Sequence, residues 1–164
     1  MGNLLKTALF TVLVPGTVAG LVPLGLLLPA GALREGRPLS PLQCAAATVG
    51  VAALGLMLWC AVDFAIKGRG TPAPIDPPKE LVVRGAYRWT RNPMYVGVVG
   101  LVLSEAVFFR SLPIAMYAAC LWVGFHAFVV LYEEPALTRK FGDTYTRYRE
   151  DVPRWLPMPW RTRR

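Results

Sequence analysis

The sequence predicts an all-α integral membrane bundle of about four transmembrane helices, with a tight C-terminal helical hairpin and a cytoplasmic amphipathic tail. Three observations carry this. Hydrophobic residues make up 54% of the 164-residue chain and charged residues only 17%, and a mean hydropathy of +0.42 sets it outside the soluble range. The apolar residues gather into four segments, 4–28, 42–66, 93–109 and 112–132, of lengths that approach or suit a bilayer crossing. The charged residues suited to chemistry collect in two polar blocks beside those segments, at 80–97 and 133–157.

The first segment holds Pro15, Pro23 and Gly25, which kink a helix but are tolerated in membranes when neighbours satisfy the freed backbone groups. Lys6 ahead of an apolar run imitates a secretory leader. The run exceeds the usual leader length, however, and Ala30, Gly31 and Ala32 give a weak cleavage signal, so a retained helix is expected. Segment 42–66 is the most regular, and Asp63 is the one acid in the first pair, which reads as scaffold. Residues 67–78 contain four prolines and two glycines, so they form an extended connector, serving as a lid, a wall or a plain linker. The chain therefore divides into a two-helix scaffold at 1–66, a connector at 67–80 and a reaction region at 81–164.

Within that region Leu81, Val82 and Val83 form a short apolar run, and Gly85 and Ala86 open a turn before Tyr87. Pro93 suits the first position of the third helix, with Asn92 as its N-cap. The positive end of that helix then lies beside Arg88 and Arg91. This suits a carboxylate or phosphate, although arginines here also snorkel to headgroups. Gly97 and Gly100 suit close helix packing. Only Arg110 and Ser111 separate the third and fourth helices, which forces an antiparallel hairpin. In the tail, Leu137, Phe141, Tyr145 and Tyr148 recur at helical spacing with polar residues on other faces, the pattern of an interfacial helix that would break at Gly142 and Asp143. Trp155 and Trp160, with Pro153, Pro157 and Pro159, read as an interfacial anchor.

Charge gives the orientation. With four spans, 15 of the 18 Lys and Arg residues share one side, and only Arg34, Arg37 and Arg110 face the other. The positive-inside rule then puts both termini and both polar blocks in the cytoplasm, on a plasma or inner membrane. The net charge of +8 favours anionic headgroups as partners. Nucleic acid is not the expected partner, because the basic residues flank spans instead of forming a separate basic domain. Cys44, Cys60 and Cys120 lie within apolar segments without metal-ligand or disulfide spacing.

His126, the sole histidine, precedes Glu133 by seven residues. On a regular helix the two lie about 20° apart, with His126 roughly 10 Å deeper. It is either a neutral hydrogen-bonded residue or a functional intramembrane group. Glu105 lies in the outer half, away from both polar blocks. Glu133 and Glu134 stand where the fourth helix leaves the bilayer, as a solvated acidic break or as ligands for a cation. Soluble dinucleotide, P-loop, zincin and hydrolase motifs are absent.

The segment from Gly85 to Gly97, GAYRWTRNPMYVG, the hairpin, Glu133-Glu134, then Phe141-Gly142 and Tyr145 to Tyr148 together resemble the isoprenylcysteine carboxyl methyltransferase and phospholipid methyltransferase superfamily. The resemblance covers residues 81–157. It implies that S-adenosylmethionine binds at the cytoplasmic face while a lipophilic acceptor arrives from the bilayer. Carried onto this chain, Leu81, Val82, Gly85, Tyr87, Arg91, Asn92, Pro93 and Tyr95 shape the cofactor cleft, and Glu133 holds its cationic end. Where the family usually carries a histidine before the proline, Asn92 stands here and cannot titrate. Arg91 and Glu134 are the catalytic candidates: Arg88 or Arg91 would orient a carboxylate acceptor, and Glu134 would serve as base for an amine or phenol. Prenylcysteine, a phospholipid amine, a quinone or other isoprenoid, and a small thiol or amine remain open as acceptors. The competing readings are an NADPH-dependent membrane reductase of the sterol-reductase type, and a non-enzymatic four-helix exporter or scaffold that works through Glu105.

Overall fold

Backbone amides within an apolar run must bond inside their own segment, which makes such runs helical. The computed structural model describes residues 13–28, 38–67 and 81–156, apart from the side chains of residues 64–67, and its described residues contain helices and no strand. We number the helices α1 (Leu13–Leu27), α2 (Pro41–Lys67), α3 (Pro93–Phe108), α4 (Leu112–Phe128), α5 (Glu134–Phe141) and α6 (Asp143–Asp151). A 3-10 turn at Gly85–Arg88 precedes α3, and a wide π turn at Val129–Glu133 joins α4 to α5 without a break. Two stretches, Pro41–Asp63 and Leu112–Phe141, are long and apolar enough to cross a membrane, each with mean hydropathy 2.0, while α1 and α3 are shorter apolar helices. The start of the first apolar segment, the connector and Trp160 with Pro157 and Pro159 lie outside the described residues.

The closest helix pair is α2 with α3, packed antiparallel. A Cβ on Gly97 would lie 3.0 Å from the Ala53 carbonyl oxygen and 3.2 Å from Met57 Cβ, and one on Gly50 would lie 2.6 Å from Ser104 Oγ. Small residues therefore let the two backbones meet, as expected for Gly97. Ser40 and Gln43 form a capping box at the start of α2, the Ser40 N–H donating to Gln43 Oε1 and the Gln43 N–H to Ser40 Oγ. Gln43 Nε2 also donates to the Phe108 carbonyl at 2.9 Å, which fastens the start of α2 to the end of α3.

The expected hairpin follows. The Ser111 N–H reaches the Ala106 carbonyl and the Arg110 N–H reaches the Val107 carbonyl, the paired bonds of a Schellman ending. Arg110 takes the left-handed position, at φ 50°. Val98, Val102 and Ala106 of α3 then pack on Ile114 and Ala118 of α4, with Ala19 and Leu27 of α1 completing the cluster.

In α1 the backbone widens to π geometry at Thr17–Leu21, just ahead of Pro23. In that register the Val18 carbonyl would seek the N–H of residue 23, which proline lacks. Tyr117 Oη supplies the missing donor at 2.9 Å. The kink expected from Pro23 is thus tied across to α4.

The tail breaks at Gly142, which takes φ 51°. Its apolar stripe packs inward: Tyr145, Tyr148 and Val152 are buried, with Leu81, Leu137 and Phe141 against them. The stripe that the sequence assigned to the membrane interface is thereby occupied by the segment leading into α3. Tyr148 Oη donates to the Tyr87 carbonyl at 2.7 Å, and burial raises that phenol so that it stays protonated.

The α2–α3 contact makes a direct prediction for unfolding in mixed micelles. Gly97→Ala should destabilise the protein by about 1–3 kcal/mol through overpacking. Gly55→Ala, which meets nothing within 4 Å, should be neutral or stabilising by up to about 1 kcal/mol through helix propensity.

Candidate active site

The loop before α3 is fixed from below. Val82, Ala86 and Tyr87 pack on Cys60 of α2. Gly85, at φ 57°, lies so close to the Asp63 and Trp59 side chains that an added Cβ would have to displace them. Glycine is favoured on both grounds.

The segment after α6 fixes the loop from above. The Arg91 N–H donates to the Pro153 carbonyl at 2.9 Å. Thr90 Oγ1 and Asn92 Nδ2 donate to the Arg154 carbonyl at 2.9 and 3.0 Å. Asn92 does stand at the N-cap position of α3, but its side chain makes no capping bond. The amide is committed to the tail.

Behind the loop lies Glu134, 5% exposed. Its Oε1 accepts from Arg91 Nη1 at 2.9 Å and Arg154 Nε at 2.7 Å, and its Oε2 from Arg154 Nη2 at 3.0 Å. Arg149 stands farther out, at 3.7 Å and largely in solvent, where its contribution is small. Burial raises the phenol of Tyr145, Glu134 adds to the shift, and Arg91 within hydrogen-bonding reach opposes it.

Glu133 points the other way. Its Oε2 accepts from Tyr95 Oη at 3.0 Å, and both residues line a cavity of about 660 Å³, within the range of small-molecule sites. One end of the cavity is polar, with Tyr87, Arg91, Asn92, Tyr95 and Glu133. The rest is apolar and follows α4 from Phe128 back to Tyr117, with Val14 and Val18 of α1 opposite. That run covers roughly 24 Å from Glu133 at 1.5 Å per residue. The Tyr95 and Phe125 rings, 4.7 Å apart, mark the junction.

The π turn at Val129–Glu133 explains why His126 and Glu133 do not share a face. It inserts an extra residue into the helical phase, as the Glu134 N–H bonds to the Val129 carbonyl five residues back. Glu133 turns into the cavity, whereas His126 Nδ1 accepts from Trp155 Nε1 at 3.2 Å. Trp155 also lies against Trp122, ring centroids 4.5 Å apart, so one tryptophan of the expected anchor clasps α4.

Five expected site residues therefore line the cavity: Tyr87, Arg91, Asn92, Tyr95 and Glu133. Leu81, Val82, Gly85 and Pro93 support the loop and the first turn of α3 from outside that wall, and Arg88 is exposed. Glu134 sits behind Arg91, off the wall. Sequence reasoning missed Arg154, which stood unremarked between a proline and a tryptophan. It also missed Phe125 and Phe128, which carry no signal within an apolar span. Glu105 lies apart, on a smaller pocket of about 240 Å³ between α2 and α3 with Gly50 and Ser104.

A family model described as phospholipid methyltransferase matches residues 36–144, which run from ahead of α2 to the first turn of α6 and make up about two thirds of the chain. The chain belongs to the phospholipid methyltransferase family. That family falls within the membrane methyltransferase superfamily which the two polar blocks resemble, and membership makes the chain a membrane methyltransferase by family. Among the described residues the match takes in every polar residue of the cavity and both glutamates, but neither α1 nor Arg154. It weighs against the reductase and exporter readings. No individual curated protein matches the chain.

Glu134 and Arg91 have side chains only 7% and 9% exposed, so removing one leaves the other buried and unpaired. Glu134→Ala should destabilise the protein by about 3–5 kcal/mol in reversible micellar unfolding. Tyr95→Phe, which removes one hydrogen bond, should cost about 1 kcal/mol.

Proposed function

We propose that the protein is an S-adenosylmethionine-dependent methyltransferase acting on a lipophilic acceptor at the cytoplasmic face of a membrane that α1, α2, α3 and α4 all cross. The observation that carries this reading is the continuity of a polar pocket with a long apolar groove. A polar cofactor and the head of a lipid can meet at Tyr95 and Glu133, while the lipid chain lies along α4.

The donor set fits the cofactor. Among the described residues Glu133 is the one carboxylate on the cavity wall, and a cationic sulfonium or ammonium group is its natural partner. Arg91 Nε is buried without a hydrogen-bond partner, and the α3 N-terminus carries no side-chain cap. Both suit a carboxylate. Leu81, Val82, Gly85 and Pro93 act by holding this end in shape. When bound, the cofactor supplies an electrophilic methyl group whose transfer turns a sulfonium into a neutral thioether.

The chain's own residues provide alignment and charge placement. Arg91 is held by Glu134 behind the wall, so among the described residues Glu133 is the carboxylate presented to the cavity, and burial raises its pKa unless a cation stands beside it. That favours an amine acceptor over a carboxylate, in keeping with the phospholipids of the family description. A methylated amine must release a proton, and Glu133 with its Tyr95 partner is placed to take it. We assign that role to Glu133 in preference to Glu134, whose two oxygens are held by guanidinium groups. Glu134 acts through Arg91. The apolar side chains of Leu121, Phe125 and Phe128 line the groove beside the reacting atoms and offer water no hydrogen-bond partner there.

Calorimetry on the detergent-purified protein should find micromolar binding of S-adenosylhomocysteine and none of NADPH. Glu133→Gln should weaken that binding tenfold or more, about 1.4 kcal/mol. Binding of NADPH without the nucleoside would reverse the assignment.

A further inference from the structure

Arg154 lies ten residues beyond the end of the family match at residue 144, yet it contacts the site's polar frame at four points. Its guanidinium spans both oxygens of Glu134, Nε to Oε1 at 2.7 Å and Nη2 to Oε2 at 3.0 Å. Its carbonyl receives Thr90 Oγ1 and Asn92 Nδ2. The fork has a specific effect on Arg91. With both Glu134 oxygens engaged by Arg154, Arg91 reaches the carboxylate through Nη1 alone, at 2.9 Å. Its Nε is left buried and without a partner, on a residue that lines the cavity.

A buried guanidinium beside a free carboxylate would pair with it two-pronged, because that geometry satisfies both oxygens and two N–H groups at once. Arg154 prevents this by taking the second prong. We propose that Arg154 is a positioning residue that keeps one donor of Arg91 available for the anionic end of a ligand, making the segment after α6 a working part of the site. The inference rests on the methyltransferase reading and extends it to how the same pocket is held ready for its ligand. Without Arg154, Glu134 would chelate Arg91 and withdraw that donor.

The test is S-adenosylhomocysteine binding to the full-length detergent-purified protein, with folding checked by size-exclusion chromatography and thermal midpoint. Arg154→Gln should weaken binding at least tenfold. The double variant Arg154→Gln, Glu134→Gln should then bind at least threefold more tightly than Arg154→Gln alone, since a neutral amide no longer captures Arg91. A purely structural role for Arg154 would make the double variant equal or worse, and that result would overturn the proposal. So would Arg154→Gln binding within twofold of wild type. If the glutamine variants do not fold, Arg154→Lys decides: its single ammonium cannot span both oxygens, so it should bind severalfold more weakly than wild type, and equal affinity sinks the idea. Wild-type protein that fails to bind S-adenosylhomocysteine would overturn the methyltransferase reading and the proposal together, an outcome distinct from the others.

Discussion

A carboxylate only 5% exposed beside an apolar bundle must find cations, and in this protein that requirement organises everything at one end of the molecule. Glu134 draws Arg91 from the loop before α3 and Arg154 from beyond α6, so three distant parts of the chain converge on one group. A buried ion pair of this kind adds little net stability compared with an apolar substitute. What it adds is register. Arg91 cannot move without leaving Glu134 unpaired, and the Pro153 and Arg154 carbonyls hold the backbone on either side of it. A loop that would otherwise fray is held to one geometry at the mouth of the cavity.

The same end depends on two departures from regular helix. In α1 and again after α4 the backbone opens to a π turn ahead of a proline, Pro23 in one case and Pro135 in the other. Each turn changes which residues face inward. The first exposes the Val18 carbonyl to Tyr117 and so ties α1 to α4 across the cavity. The second separates two adjacent carboxylates, sending Glu133 to the cavity and Glu134 to the arginines. Side by side in sequence, they occupy opposite electrostatic settings.

Much of the fold was legible in the sequence because hydropathy and proline placement are local signals. The apolar helices, the Arg110-Ser111 hairpin, the Gly97 contact and the Gly142 break all follow from runs and punctuation. Half of the candidate site was legible for a related reason: the motif around Arg91 and Tyr95 sits at a helix start that Pro93 announces. The rest depends on long-range pairing. Nothing in the spacing says that Leu81 will cover the Leu137 and Tyr145 stripe, or that Arg154 will reach back twenty residues to Glu134. The His126 and Glu133 relation fails for a different reason, since a period of 3.6 residues is valid only while the i to i−4 ladder is unbroken, and Pro135 removes one of its donors.

These elements together explain how a chain with so few charged residues builds a polar site at all. Desolvation penalises every isolated charge near the bundle, so each one retained must be matched or aimed at a ligand. Arg91 and Arg154 are both paired with Glu134, and the neutral Asn92 amide donates to a backbone carbonyl. Among the described residues Glu133 is the carboxylate aimed into the cavity, and the Tyr95 hydroxyl holds it. One unneutralised carboxylate at the head of an apolar groove selects for a ligand that brings positive charge to that point and an apolar chain behind it. The cavity's specificity therefore follows from which of two neighbouring glutamates the π turn leaves without an arginine.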